Sequence, residues 1–424
     1  MISVQNRLQQ LSGNKILVAC ACALTLGACS PKVGVLRSPD QRGKAGTTVT
    51  PENKADSSKT DEKPKDDHVK LDIQNKIALI LPFQLDKVNP AALSKADIQR
   101  SAVALDFYQG FQLALDELAE QGTVFGLSVV DSKDDPASNV AIARSKNISD
   151  ASLIVGPVYP KEIQAFGGNL ENKNTLQINP LAATKASTFN LGNLVSLTPS
   201  IDVHTKATAE RVAKEFRSGD VVIVYNSSDN NSRQFLAGFV GELKGINPTI
   251  SLVSVSSISQ LNEQLSTTGA NLIVAGTTDK FQLRTFLDNL EKKTLENFYT
   301  FKLFGHPLWD RIDFSMYASF SSFKPTITSA DHLMPWNSEV KKLKDKYYSI
   351  YGVNPSDHSY KGYDAAKYFG KLLNKYGAEY ASKVVQEEYK GVFSSYKFEF
   401  SEDGGFVNQS VSYRTYKGSG FELN

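Results

Sequence analysis

The scarcity of cysteine and histidine limits the chemistry that this chain can perform. Of its 424 residues, three are cysteines and five are histidines. All three cysteines lie among the first 29 residues, so the rest of the chain has no thiol for a disulfide, a nucleophile or a zinc site. No H-E-x-x-H, Walker A or G-x-S-x-G motif is present. We therefore expect no metal, no cofactor and no enzymatic activity, and a hydrolase with a triad assembled from distant residues is only a weak alternative.

The sequence also lacks a strong charge imbalance and a long apolar run. Its formal net charge is +2, and no basic stretch suggests a nucleic-acid partner. No run of residues is long and apolar enough to span a bilayer as a helix. The hydrophobic content of 41% is nevertheless ample for a core, and the chain is too long for one ordinary domain.

The first 29 residues have the pattern of an export signal. Basic residues precede an apolar run at 16–26, which is too short for a membrane span and typical of a signal-peptide core. The tetrapeptide LGAC at 26–29 resembles the bacterial lipobox. The resemblance implies a signal peptide at 1–28 and lipidation at Cys29, and Ser30 favours the periplasmic face of the outer membrane over the inner membrane. An ordinary signal peptide cut before Cys29 is the alternative.

The segment that follows, 29–75, is predicted to be a disordered tether after the lipidated Cys29. It contains no aromatic residue and is rich in lysine, aspartate, serine, threonine and proline. Such a segment cannot bury enough apolar surface to offset the entropy lost on ordering. Its root-mean-square span is expected to be roughly 35–40 Å.

A central stretch, 153–184, predicts a βαβ unit. Two short runs rich in branched residues, Leu153–Val155 and Thr175–Ile178, flank a helical pattern and are closed by Gly-Pro and Asn-Pro. Because ligands bind at the carboxyl ends of strands in open α/β sheets, the loops 156–159 and 179–184 are the first candidates for a site.

Strand-like and helix-like segments alternate in the same way on both sides of this stretch. This pattern predicts an α/β protein of two Rossmann-like lobes with doubly wound parallel sheets. The predicted domains are a first lobe at 76–200 plus about 326–393, and a second lobe with a hinge crossing at 201–325 plus about 394–424. Near the end, 396–400 and 411–416 are predicted to pair as a hairpin around the turn at 403–405. Gly110, inside a regular helical pattern, indicates either close helix–sheet packing or the approach of a ligand.

Five segments of the chain carry a family resemblance. They are KIALILPF at 76–83, YQGFQLALDEL at 108–118, IVGPVYPKEI at 154–163, INPLAATKAS at 178–187 and LVSLTPSIDVHTKATAERVA at 194–213. Their order and spacing resemble the type I periplasmic binding proteins, which include the leucine/isoleucine/valine-binding proteins. The same passages also resemble the C-terminal domain of lipoproteins that activate penicillin-binding proteins. Both resemblances imply two lobes joined by a hinge of several strands.

The first resemblance implies a ligand held between the lobes by residues at strand ends. Carried over by position, the first-lobe candidates are Tyr159, Ala182, Ala183 and Thr184, and the second-lobe candidates are Asn226, Asn230, Thr277, Thr278, Trp309 and Asp310. The Thr184 hydroxyl and its neighbouring backbone would fix the amino or carboxylate end of the ligand, although Thr184 could instead cap a helix. Trp309 would stack on the ligand or lie in the core, and Asp310 is the nearest match to an acidic residue that pairs with a ligand ammonium. Tyr159 and Asn230 depart from the family pattern.

Two functional predictions follow from these patterns. The first is a non-catalytic, lipid-anchored periplasmic binding protein that captures a small amino-acid-like or peptide-like ligand and passes it to an ABC transporter permease. The second is an interaction lipoprotein that docks on a cell-wall synthase and regulates peptidoglycan synthesis. Neither prediction includes a nucleic-acid partner.

Overall fold

Strands and helices alternate through most of the structure, a computed structural model that describes residues 34–36, 75–296 and 298–424. The strands are β1 (Gly34–Leu36), β2 (Asn75–Leu81), β3 (Phe125–Asp131), β4 (Leu153–Val155), β5 (Gln177–Asn179), β6 (Leu194–Ser196), β7 (Val221–Tyr225), β8 (Leu252–Val255), β9 (Ala270–Ala275), β10 (Thr300–Gly305), β11 (Thr326–Ser329), β12 (Tyr389–Lys390), β13 (Ser395–Tyr396), β14 (Phe398–Ser401), β15 (Gly405–Asn408), β16 (Ser412–Tyr416) and β17 (Phe421–Leu423). The helices are α1 (Lys95–Glu120), α2 (Pro136–Ala143), α3 (Lys146–Ser149), α4 (Pro160–Asn169), α5 (Ile201–Glu215), α6 (Asn230–Leu236), α7 (Phe239–Ile246), α8 (Ile258–Glu263), α9 (Lys280–Thr294), α10 (Ser338–Tyr351) and α11 (Asp357–Tyr376). Of the helices described, none is long and apolar enough to cross a membrane.

Two mostly parallel sheets form the cores of two lobes. The first has the strand order β1-β3-β2-β4-β5-β6-β15-β14, and the second has the order β17-β16-β11-β10-β9-β7-β8. The strands β4 and β5 are parallel neighbours joined through α4, as the predicted βαβ unit requires. The central strands are buried on both faces, which explains their continuous apolar runs. The prediction of two doubly wound α/β lobes is therefore confirmed.

Short polar side chains fix where several helices begin. The Ser94 hydroxyl accepts a hydrogen bond from the Asp97 N–H while the Asp97 carboxylate accepts one from the Ser94 N–H, a capping box that starts α1. Asp135, Asp229 and Asp279 cap α2, α6 and α9 in the same region of each βα unit. Each carboxylate satisfies N–H groups that the helix itself leaves unpaired. The strand-to-helix loops are thereby held in defined conformations.

The sheets assign parts of the C-terminal third differently from the predicted domain limits. The strand β11, predicted to open the returning part of the first lobe, pairs in parallel with β10 in the second sheet. Conversely, β14 and β15, predicted to belong to the second lobe, complete the first sheet beside β6. Chain order alone does not show which sheet has a free edge strand to accept each of these short strands.

The predicted C-terminal hairpin is wrong in its pairing. The turn at 403–405 joins β14 to β15, whereas β16 pairs with β11 on one side and β17 on the other. Gly405 adopts a positive φ of 65°, which glycine allows at no steric cost, so the chain reverses tightly and its nearest flanking residues pair. The segment 411–416 consequently contributes its strand, β16, to the second sheet.

The predicted tether, 29–75, lies outside the described residues except for β1 and Asn75, and its disorder stays a prediction. The strand β1 pairs antiparallel with Phe125–Leu127 of β3. An edge strand offers unpaired N–H and C=O groups to any extended segment within reach, and β3 would otherwise be the edge of the first sheet. The signal peptide and Cys29 also lie outside the described residues.

Helices α1 and α11 of the first lobe cross in close contact at two glycines. A Cβ atom on Gly110 would lie 1.8 Å from the Ser359 carbonyl oxygen, and one on Gly362 would lie 2.1 Å from the Phe107 carbonyl oxygen. Close packing at Gly110 was one of the two predicted alternatives, but its partner is a helix rather than the sheet. Sequence patterning within α1 cannot identify a partner that follows some 250 residues later in the chain.

Candidate functional site

The carboxyl edges of both sheets adjoin the segments that connect the lobes. Within the described residues the chain passes between the lobes three times, at 197–200, 330–337 and 409–411. The first of these segments leaves the carboxyl end of β6, and the second leaves the carboxyl end of β11. A narrow pocket here is lined by Pro180 of the first lobe and by Ala330 of the second crossing. All ten predicted ligand residues lie in the segments that follow strands at these two edges. They differ in how far each side chain is buried.

The first-lobe loop after β5 has a rigid backbone. The Asn179 side chain donates to the Ala182 carbonyl at 2.8 Å and accepts from the Ala182 N–H at 2.9 Å. Ala183 is exposed, and Thr184 is half-buried. The Thr184 hydroxyl has no hydrogen-bond partner among the described residues, and the next helical turn has Lys185 at its N-cap, so Thr184 does not cap a helix. The loop therefore presents a hydroxyl that is available to a ligand.

Tyr159 lies on the same edge, at the start of α4. Its backbone N–H donates to Glu162 Oε2 at 3.3 Å, and Glu162 Oε1 accepts from Asn139 at 3.0 Å. Burial raises the pKa of the Tyr159 hydroxyl, and the charges of Asp134 and Glu162 raise it further. The phenol is therefore neutral near neutral pH and can act as a hydrogen-bond donor.

In the second lobe, the loops after β7 and β9 are joined to each other. Asn226 and Asn230 are exposed at the end of β7. The neighbouring Asn231, which was not predicted, donates to the Thr278 hydroxyl at 2.6 Å. Thr278 is half-buried, whereas Thr277 is fully buried. Of the two predicted threonines, only Thr278 is accessible from the edge of the sheet.

Trp309 is a core residue, which corrects its predicted role as a stacking platform. Its side chain is fully buried and packs against Phe314 and Phe320, with ring centroids at 5.7 and 6.3 Å. Its indole N–H donates to the Thr277 carbonyl at 2.8 Å. Trp309 lies in the short helical turn Pro307–Arg311, where an aromatic residue can face either the core or the cleft, so the sequence left this choice open. Trp309 supports the loop after β9 from behind.

Asp310 points outward but already has a partner. Its carboxylate lies 3.2 Å from Arg414 Nη1, and Arg414 also forms an ion pair with Asp331. Burial raises the pKa of Asp310, the guanidinium of Arg414 opposes this, and the carboxylate of Asp331 adds to the rise. A ligand ammonium at Asp310 would therefore have to compete with Arg414.

A sequence comparison identifies the family. The family model described as periplasmic binding protein matches residues 99–411, which is most of the chain. The chain belongs to the periplasmic binding protein family. No curated protein matches the sequence closely enough to count as a relative.

Solved structures agree with the fold of this periplasmic binding protein. An ABC transporter substrate-binding protein from Desulfitobacterium hafniense, in complex with leucine, is 17% identical, with 82% of this chain and 99% of that chain covered and a TM-score of 0.51. A structure from Rhodospirillum rubrum, described as a branched-chain amino acid ABC transporter, is 13% identical, with 82% and 99% covered and a TM-score of 0.58. At these identities the similarity shows the type I periplasmic binding protein fold.

Two cations beside the cleft of this periplasmic binding protein were missed from the sequence. Lys361, in α11, lines the narrow pocket together with Pro180, Thr198 and Ala330. Arg311 directly follows Asp310 in the loop after β10 and is exposed. The only sequence signal for Lys361 was that its neighbours, Tyr363-Asp364-Ala365, resemble the helix with which the family returns to its first lobe.

A cavity of about 580 Å³ lies around the connecting segments, apart from the predicted residues. It is lined by parts of the second and third crossings and of neighbouring strands, among them Asp331, Tyr389, Lys390, Tyr396 and Tyr413. Its volume is in the range of small-molecule pockets, but none of the ten predicted ligand residues lines it. Among the described residues, no group of three or more His, Cys, Asp or Glu side chains could hold a metal ion.

Proposed function

We propose that this chain is a non-catalytic periplasmic binding protein that captures a small polar ligand between its lobes and delivers it to an ABC transporter. The observation that carries the proposal is the placement of polar loops at the carboxyl edges of two parallel sheets, both next to the crossings between the lobes. Ligands bind at such edges in open α/β sheets. The similarity of fold to substrate-binding proteins supports the same conclusion.

The ligand contacts proposed for the first lobe are Tyr159, Ala183 and Thr184. Ala182 contributes through its backbone, which Asn179 holds in place. Free hydroxyls at a rigid loop and at a helix start can hydrogen-bond an amide, an amine or a carboxylate. These contacts would recognise the polar end of an amino-acid-like or peptide-like ligand.

The contacts proposed for the second lobe are Asn226, Asn230, Thr278 and Asp310. Thr277 and Trp309 are assigned supporting positions, because both side chains are fully buried. Binding would draw the two edges together by rotation at the crossings, the hinge closure by which two-lobed proteins enclose ligands. An aqueous cleft would thereby become a closed site.

We also propose that the protein is anchored by lipid at Cys29 to the periplasmic face of the outer membrane. The support is the LGAC tetrapeptide at 26–29 after a short apolar run with basic residues before it. Several acyl chains on one residue give stable attachment, whereas a single chain binds only marginally. The aromatic-free segment after Cys29 would hold the lobes away from the membrane surface.

Ligand binding is tested by denaturing mass spectrometry of small molecules carried by the purified protein, followed by calorimetric titration of amino acids, short peptides and muropeptides. We expect a ligand whose affinity falls about 5- to 150-fold in Thr184→Ala, the effect of one lost buried hydrogen bond. Thr294→Ala is the matched control, since Thr294 is the last residue of α9 and its hydroxyl donates to the Leu290 carbonyl within that helix.

Two results would contradict the proposal. If no compound binds and the protein instead retains a peptidoglycan synthase in a pull-down, the interaction lipoprotein is the correct interpretation. If a ligand binds but Thr184→Ala behaves as Thr294→Ala does, the ligand does not contact the loop after β5.

A further inference from the structure

The cavity at the crossings is bounded by both lobes. One wall is formed by the hairpin of β12 and β13 with Tyr389, Lys390 and Tyr396, and the other by Tyr413 of β16 and Leu423 of β17. The two tyrosines of the hairpin pack into the core of the first lobe, whereas β16 and β17 belong to the second sheet. A molecule in this cavity would therefore contact both lobes at once.

The second crossing passes from one lobe to the other between two adjacent residues. Asp331 is held by the second lobe, because Arg414 forms an ion pair with it and the Ser412 hydroxyl donates to its carbonyl at 2.6 Å. The next residue, His332, is held by the turn between β12 and β13. Its N–H donates to the Phe393 carbonyl at 2.9 Å, and its Nε2 lies 2.8 Å from another carbonyl oxygen of that turn. A rotation of the lobes that keeps these contacts takes place at the backbone between Asp331 and His332.

The third crossing has a comparable pivot at 410–411. Just before it, the Gln409 N–H donates to the Lys397 carbonyl at 2.8 Å on the side of the first lobe. Just after it, Ser412 pairs with Ser329 in the second sheet. The residues of both pivots line the cavity. Rotation of the lobes therefore changes the shape of the cavity.

The charged groups of the lining do not call for an ion of either sign. Lys397 forms an ion pair with Glu388 at 2.8 Å, and Asp331 is paired with Arg414. Lys390 forms no ion pair within the part of the chain that the structure describes, but its side chain is exposed. Water screens an exposed charge, so this lysine can remain without a counterion.

The lining instead offers hydrogen-bonding groups beside aromatic rings. Among the described residues, the Ser410 hydroxyl and the Lys390 ammonium have no hydrogen-bond partner, and both can bond a ligand. The hydroxyls of Tyr389 and Tyr413 donate to other protein groups at 3.3 and 2.9 Å, so these residues contribute chiefly ring surface. A sugar suits such a lining, because its hydroxyls both donate and accept and its C–H surface packs against rings.

We propose that the cavity at the crossings is a second ligand site, for an uncharged, hydroxyl-rich molecule of one or two sugar rings, and that its occupation changes the angle between the lobes. The volume of about 580 Å³ is in the range of small-molecule sites. A ligand that touches both walls binds one arrangement of the lobes better than another and shifts the population toward it. The site goes beyond the proposed cleft function and does not depend on it.

The test is calorimetric titration of the full chain with neutral sugars and their charged counterparts. The neutral sugars are glucose, N-acetylglucosamine, maltose and cellobiose, and the charged ones are glucuronate and glucosamine. We expect a neutral sugar to bind and the charged sugars to bind more weakly. Ser410→Ala and Lys390→Met should each weaken binding about 2- to 12-fold, the effect of one lost hydrogen bond. Small-angle X-ray scattering should show that the saturating sugar changes the radius of gyration.

Two further variants serve as controls. Lys292→Met matches Lys390→Met, because Lys292 is an exposed lysine in the last turn of α9 that does not line the cavity. Thr184→Ala alters a proposed contact of the cleft, and Thr184 does not line the cavity either. Both variants should keep the sugar affinity of the unaltered protein. Thermal unfolding of each variant establishes that the lobes remain folded.

The possible contrary results exclude different parts of the inference. If no neutral sugar binds, or if Ser410→Ala and Lys390→Met keep full affinity while folded, the second site is overturned, and the cleft function remains to be judged by its own ligand. If Thr184→Ala abolishes sugar binding instead, the sugar is the ligand of the cleft and the cavity is not a site. Equal binding of neutral and charged sugars contradicts an uncharged ligand. Binding with an unchanged radius of gyration contradicts the coupling to the lobe angle.

Discussion

Two buried histidines of the second lobe are held neutral by their surroundings. His204 Nδ1 lies 2.8 Å from the Thr328 hydroxyl, and His306 Nδ1 accepts a hydrogen bond from the Leu308 N–H at 3.0 Å. Burial lowers the pKa of each to about 4, and the proximity of the two rings contributes to the shift of His204. Asp202 and Asp229 oppose the shifts without reversing them.

These histidines predict that the second lobe loses stability in mild acid. Their folded pKa of about 4 lies below the unfolded value of 6.5, so the unfolded chain takes up protons first as the pH falls. The stabilisation is complete above about pH 6.5 and is lost between there and pH 4. Between pH 7 and pH 5 each histidine should reduce the free energy of unfolding by about 2 kcal/mol.

The measurement is urea unfolding at pH 7 and pH 5, followed by the fluorescence of buried Trp309. His306→Asn keeps an oxygen that can accept the Leu308 N–H, since asparagine is a good N-cap residue, but it does not titrate. The His306→Asn variant should therefore remove roughly half of the decrease in the free energy of unfolding that the two histidines cause between pH 7 and pH 5. An unchanged pH dependence in this variant would show that His306 is not the group being protonated.

At the residue scale, the strand ends of the site could be predicted, but the direction of each side chain could not. Thr277 and Thr278 follow the same strand, yet one is buried and the other faces the edge. Trp309 illustrates the same limit, because an aromatic residue in a loop suits either a core or a ligand surface. Lys361 was missed because its position in the narrow pocket is a property of the folded chain only.

At the element scale, the first lobe is stabilised by three helices that are distant in sequence. Glu117 of α1 forms ion pairs with Lys346 of α10 at 3.1 Å and Lys367 of α11 at 2.7 Å, and it accepts a hydrogen bond from the Tyr363 hydroxyl at 2.6 Å. These interactions lower the pKa of Glu117 although burial opposes the shift. Periodicity in the sequence predicts each helix separately but gives no information on such contacts.

One of the same helices, α11, also holds the turn between β12 and β13. The Asp364 carboxylate of α11 accepts hydrogen bonds from the N–H groups of Val392, Phe393 and Ser394 at 3.0, 2.9 and 2.7 Å. Burial raises the pKa of Asp364, and the three backbone donors oppose the rise. Because this residue is fully buried, the turn between β12 and β13 is fixed directly to the helix.

The close crossing of α1 and α11 predicts that Gly110→Ala is strongly destabilising. Its Cβ would lie 1.8 Å from the Ser359 carbonyl oxygen, a backbone atom that cannot move aside without displacing α11. Overpacking of this kind costs roughly 1–3 kcal/mol or more. Gly241→Ala is the control. Gly241 lies in α7, and a Cβ atom added there would have no neighbour within 4 Å. This variant should gain up to about 1 kcal/mol in the free energy of unfolding, because alanine has the higher helix propensity.

Chemical denaturation of the two variants measures both effects. Equal stability of Gly110→Ala and the unaltered protein would mean that the helices do not approach as closely as the structure shows. A destabilised Gly241→Ala would mean that the difference arises from glycine replacement in general rather than from the crossing.

At the scale of the whole molecule, neither lobe is a continuous piece of chain. The first sheet receives β14 and β15 from chain that follows strands β7 to β11 of the second sheet, and the second sheet is completed by β16 and β17. The alternating pattern was sufficient to predict two lobes, because each βα unit is local in sequence. The exchange of the last strands between the sheets could not be predicted in the same way, since each short strand suits the free edge of either sheet.

The proposed anchor predicts that one cysteine alone links the folded lobes to the membrane. Metabolic labelling with a palmitate analogue should label the unaltered protein and leave Cys29→Ala unlabelled, with its signal peptide uncut. Cys20→Ala and Cys22→Ala are matched controls, because both residues lie inside the apolar run and precede the LGAC tetrapeptide. Both variants should be labelled and processed normally, and mass spectrometry would place the acyl chains on the first residue of the mature protein. Label that persists in Cys29→Ala, or a mature chain that begins elsewhere, would contradict lipidation at this position.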